Sequence, residues 1–130
     1  MENSKRCIYE ILKKILLIQN KKEKEEIGCK KKKLENKCRK NYNTRPIIIY
    51  LCQGNILKSM FYDCENNGIS SIYRIEKLDD CCATFRILKG DCSKDCECSN
   101  SLKSTKNFIT VDLSCICALQ CLNDIELDCI

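Results

Sequence analysis

Ile109-Thr110-Val111-Asp112-Leu113-Ser114-Cys115-Ile116-Cys117-Ala118-Leu119-Gln120-Cys121 carries an apolar or sulfur-bearing residue at every odd position. Side chains alternate across a strand with period two, so this stretch predicts one long strand, or a strand that bends midway. A rival reading sets a short helix over Cys115 to Leu122, because Cys117 and Cys121 lie four apart. The unbroken alternation favours the strand. Moving outward, Ala83, Phe85 and Ile87 alternate with Thr84 and Arg86, predicting a strand from Cys81 to Leu88. Ile72 to Leu78 sets Tyr73 and Ile75 opposite Arg74 and Glu76, and Asp79-Asp80 supplies the turn between them. The pair reads as a hairpin with one dry and one wet face. Ile47 to Cys52 is a continuous apolar run, expected as a strand buried on both faces, and Leu57 to Tyr62 is a weaker strand.

Ahead of Pro46 the period changes. Ile8, Ile11, Leu12, Ile15 and Ile18 form one stripe of an amphipathic helix over Lys5 to Glu26, with Ser4 as N-cap and Gly28 as stop. The stripe lacks Trp and Phe, so it suits packing on the body better than a membrane surface. Residues 1–45 carry 15 Lys and Arg against 6 Asp and Glu, whereas residues 46–130 carry 8 against 12. A basic arm is thus attached to a mildly acidic body. No aromatic interrupts Lys30 to Lys33 to stack on bases, so the Lys21–Lys40 stretch reads as a solvated arm and no nucleic-acid partner is expected. The expected fold is mainly β with an N-terminal α-helix: a small antiparallel β-sandwich or barrel in a single domain. Residues 1–28 form the amphipathic helix, 29–45 the basic cysteine-containing arm and 46–130 the β-rich, cysteine-rich assembly domain.

The 14 cysteines in 130 residues set the functional question. That density is typical of secreted disulfide scaffolds. Yet Glu10, Lys13 and Lys14 break the only early apolar segment, so no signal peptide is expected, and no run is long enough for a membrane span. Cytosolic synthesis leaves two fates for the thiols: metal binding, or later oxidation. There is no histidine and no Cys-x-x-Cys, which weakens a zinc-binding metal-thiolate reading, although Cys96-x-Cys98, Cys115-x-Cys117 and vicinal Cys81-Cys82 keep it as the alternative. The same absences remove a thiol–disulfide active site and a Cys–His nucleophile pair. No catalytic residue, cofactor or resident metal is expected.

Vicinal residues on a strand point to opposite faces, so Cys81 and Cys82 should not pair with each other. Cys7, Cys29, Cys38, Cys81, Cys82, Cys92, Cys96, Cys98, Cys121 and Cys129 are the candidates for disulfide cross-links, many of them between molecules. Cys52, Cys115 and Cys117 are expected as buried thiols acting as small hydrophobes. Unpaired sheet edges supply a second route to self-association.

Three blocks of the chain then resemble a known family. They are Asn43 to Tyr50, Tyr73 to Leu88 with its Asp79-Asp80-Cys81-Cys82 turn, and Thr110 to Leu122, the most distinctive. In this order, over about residues 44–124, the chain is similar to the CotY/CotZ/ExsY family of spore coat and exosporium proteins. The resemblance implies a non-catalytic structural protein made in the mother-cell cytoplasm and located in the spore surface layers, coat or exosporium. It further implies self-assembly into ordered, often hexagonal sheets linked by intermolecular disulfides. The expected partners are other copies of the chain and other coat or exosporium proteins.

Overall fold

The computed structural model describes residues 2–28, 42–63, 67–90, 102–128 and 130, with helix side chains described from Cys7 to Asn20. Helix α1 (Glu2–Gly28) is followed by seven strands: β1 (Ile47–Leu51), β2 (Ser59–Tyr62), β3 (Asn67–Ser70), β4 (Ile72–Leu78), β5 (Cys82–Gly90), β6 (Leu102–Asp112) and β7 (Ile116–Cys121). A 3-10 turn, Leu113–Cys115, joins the last two. All pairings are antiparallel, as expected. Five strands form one sheet in the order β6-β5-β4-β1-β7, and β2-β3 form a separate ribbon. Thr110 to Cys121 is therefore two strands with a bend, and the alternative helix over Cys115 to Leu122 is not formed.

That strand order makes the sheet fold over. β6 and β7 lie at opposite edges, about 19 Å apart in a flat five-stranded sheet. Asp112 and Ile116 are only four residues apart, a reach of about 14 Å at most. The edges meet at this corner because β1 touches β4 through one register pair, Ile47↔Tyr73. Beyond that pair other groups take β1's place on β4, and another segment takes β4's place on β1. Leu57 N donates to Ile49 O and Leu51 N to Asn55 O, after the chain reverses at Gly54 with φ of 100°. On the other side the Gln19 amide sits where the next rung would be, donating to Ile75 O at 3.0 Å and accepting from Arg45 N at 3.1 Å. The sheet does not close into a barrel, since β6 and β7 are not bonded to each other.

The core fills the space between the folded sheet, α1 and the ribbon. Ile8, Leu12 and Ile15 from α1 meet Ile47, Ile49, Tyr73, Ile75, Ala83, Phe85, Ile87, Val111, Leu113, Ile116 and Phe61. Ile11 and Ile18, expected in the helix stripe, lie at its exposed border, and Gln19 takes the buried position instead. Gln19 satisfies two backbone groups there, which an aliphatic side chain would leave unpaired. On the ribbon, Phe61 lies over Gly68, its cross-strand partner. A Cβ at Gly68 would fall 2.7 Å from Phe61 Cζ, so the ring packs where only glycine leaves room.

The expected wet face of the β4–β5 hairpin is partly covered. Arg74 is buried, 4% exposed, because residues 43–44 cross it. Its guanidinium donates to Thr44 Oγ1, Asn43 O and Glu76 Oε2 at 2.7–3.0 Å. Glu76 also accepts from Arg86, and the C-terminal segment is held through Arg45–Asp124 and reciprocal Asn43–Leu127 bonds.

Candidate functional site

The fold-over brings five cysteines to one corner. It is built from the end of β1, the β4–β5 turn, the 3-10 turn and the start of β7. Asp112 Oδ1 accepts from Ser114 N and Ser114 Oγ, both at 2.9 Å, which caps the 3-10 turn. Leu113 anchors that turn in the core, while Leu113 N donates to Cys81 O at 2.8 Å. From the other side, Cys52 N donates to Cys115 O at 3.0 Å. Cys52 and Cys117 are joined in a disulfide with Cα atoms 4.8 Å apart, within the range such bridges need.

The three expected buried thiols are not buried: Cys52, Cys115 and Cys117 are all exposed. The reason is a change of phase. Along β6 the odd residues Ile109 and Val111 face the core, but the 3-10 turn hands that place to the even Ile116. The β1–β7 register then passes from Tyr50↔Ala118 to Leu51↔Ile116, leaving Cys117 as an extra, unpaired bulge residue. Cys52 lies just past β1 in the Gly54 turn, and the two meet outside the core. The bridge closes a loop of 65 residues, so the chain-entropy model assigns it roughly 4 kcal/mol.

Cys81 and Cys82 are both free, as expected, but not for the expected reason. Cys81 lies in the turn rather than on the strand, so the pair does not splay to opposite faces. Asp79 Oδ1 accepts from Cys81 N at 3.0 Å and Cys82 N at 2.9 Å, and the tightened turn sets the two Sγ atoms 3.3 Å apart. Donation from the Cys82 and Cys81 N–H groups holds the Asp79 carboxyl below its usual value. The Cys81 thiol is pushed up to about 11, first by its hydrogen bond with Cys82 and then by that with Asp79. At neutral pH it keeps its proton, which makes it a slow nucleophile.

Two further candidates lie away from the corner. Cys7 is exposed on α1, beside buried Ile8, and Cys121 is exposed at the far end of β7, opposite Ile47. Cys29, Cys38, Cys92, Cys96, Cys98 and Cys129 lie outside the described residues. Of the five free cysteines described, Cys7, Cys81, Cys115 and Cys121 are exposed and Cys82 is half-buried. The Cys52–Cys117 bridge had no signal in spacing, because 65 residues separate its ends.

The two sheet edges differ. β7 reads Ile-Cys-Ala-Leu-Gln-Cys, has no charge, and exposes Cys117, Ala118, Gln120 and Cys121. β6 carries Lys103 and Lys106, and Asn107 bonds both Tyr62 O and Tyr62 N at the end of the ribbon.

The family model described as Spore coat protein Z matches residues 1–124. The chain belongs to the Spore coat protein Z family. The match covers the helix, the corner and both edge strands, and it supports a structural role in the spore coat. No curated protein and no solved structure matches the chain. Membership in a spore coat structural family argues against an enzyme. No helix among the described residues is long and apolar enough to cross a membrane.

Proposed function

We propose that this chain is a building block of the spore surface layers, coat or exosporium, that self-assembles into a two-dimensional lattice locked by intermolecular disulfides. The observation that carries this reading is the distribution of sulfur: one intrachain bridge among the described residues, and four exposed free cysteines on three separate parts of the surface. Cys7 sits on the helix, Cys81 and Cys115 at the corner, and Cys121 at the far end of β7. Separate directions matter, because a strand edge pairing with itself yields only a two-fold pair, and a sheet of molecules needs further contacts. The uncharged β7 edge supplies the first contact, and the thiols supply the others. Synthesis in the mother-cell cytoplasm keeps those thiols reduced while subunits meet; oxidation afterwards makes the assembly kinetically irreversible. Other coat or exosporium proteins would join through the same thiols.

The test is electron microscopy of the purified recombinant chain, with electrophoresis of the same sample. Ordered sheets that resist denaturant alone and fall to monomer with reductant support the proposal. Soluble monomers after full air oxidation overturn it.

A further inference from the structure

We propose that Asp79, Cys81 and Cys82 form a surface chelate for a thiophilic divalent cation of the zinc type. One carboxylate oxygen and the two Sγ atoms all lie within 4.8 Å of one another. The spacing of the sulfurs fits a shared ion better than a bond between them. Two thiolates on a tetrahedral zinc, each at about 2.3 Å, stand about 3.8 Å apart. The pair at 3.3 Å opens by about half an ångström to reach that bite. Closing to a disulfide needs a separation of about 2.05 Å. It also meets a backbone obstacle, since consecutive Cα atoms stand 3.80 Å apart and bridged residues usually need at least about 4.4 Å.

The carboxylate is aimed in advance. Cys81 N and Cys82 N both donate to Asp79 Oδ1, so the turn itself orients the group beside the two sulfurs. Asp80 is the next residue, and Asp112 stands opposite Cys82 across the β5–β6 ladder, so the neighbourhood favours a cation. On binding the cation, both thiols coordinate as thiolates with their protons released to solvent. Asp79 and Cys81 are exposed, which leaves water in the remaining coordination position. The mixed oxygen and sulfur donors suit zinc or cadmium, not magnesium or calcium.

The experiment is alkylation of the reduced full chain with and without one equivalent of Zn2+, each cysteine read separately by peptide mass spectrometry. Zn2+ is expected to slow labelling of Cys81 and Cys82 together by about tenfold or more, leaving Cys7 and Cys121 unchanged. Protection of Cys82 is expected to vanish in Cys81→Ser. It is expected to weaken in Asp79→Asn, whose amide oxygen still accepts the two turn N–H groups. Equal labelling of Cys81 and Cys82 with and without Zn2+ overturns the proposal, as does full protection of Cys82 in Cys81→Ser. Array formation is read separately and does not enter this result.

Discussion

The two edge strands of the main sheet, β6 and β7, are treated in opposite ways. β6 carries two lysines, and its middle is tied to the ribbon by the Asn107 amide, which imitates a backbone rung with Tyr62. β7 carries no charge and no proline, β1 is its one strand partner among the described residues, and a cysteine lies near each of its ends. Edge strands invite pairing with other chains, and charge or cover is how that pairing is suppressed. A chain that suppresses it on one edge and leaves the other uncharged is directional. Under the proposed assembly, that contrast makes β7 the edge through which copies would meet.

The largest expected effect comes from giving β7 what β6 has. Ala118→Lys with Gln120→Lys should lower array formation by an order of magnitude or more, because like charges then face each other across the contact. A lysine added on β6, as Thr110→Lys, should leave arrays intact; electron microscopy of the three chains side by side checks this. Next is the bridge that pins β7 to β1. Losing it in Cys52→Ser should cost roughly 4 kcal/mol at most by the loop-closure argument, measured by denaturant unfolding. Unchanged stability would mean the bridge does not hold the corner. Asn107→Ala should cost about 1–2 kcal/mol, since Tyr62 loses two hydrogen bonds, and should make the β6 edge newly prone to association. Light scattering that shows no added association would weaken the assigned role of Asn107.

The smallest effect is on pH. Cys81 holds its proton more tightly in the fold than at its ordinary value of 9.0, so its contribution to stability is complete below that value. It is lost as pH rises toward about 11. Its alkylation rate should keep climbing over the same window, and Asp79→Asn should move the rise to lower pH. A plateau reached by pH 9 in the unaltered chain would contradict the geometry of the turn.

Much of the fold was legible because period-two patterning is a direct imprint of a half-buried strand. β4 runs over the residues its alternation marked, and the Asp79-Asp80 turn joins it to β5 as expected. The helix was legible from its stripe, but Gln19 was not, because nothing local shows that a buried amide will fill a gap between β4 and the start of β1. The corner misled for a related reason. Alternation continues in the letters from Ile109 to Cys121, yet a three-residue turn and a bulge shift which letters face inward. Cysteine serves equally as a small core residue or a surface thiol, so its identity does not betray the change of phase. The Cys52–Cys117 bridge follows from that corner and depends on strands distant in sequence, whereas the close Cys81–Cys82 pair is made locally by the Asp79 turn.

The most direct measurement mixes isotopically light and heavy copies of the reduced chain, lets them assemble in air, and maps disulfides by mass spectrometry. Cys52–Cys117 should appear almost wholly within single copies, while Cys7, Cys115 and Cys121 should appear in mixed light–heavy pairs. If every bridge proved to be confined to one copy, the claim that exposed thiols join neighbouring molecules would be contradicted.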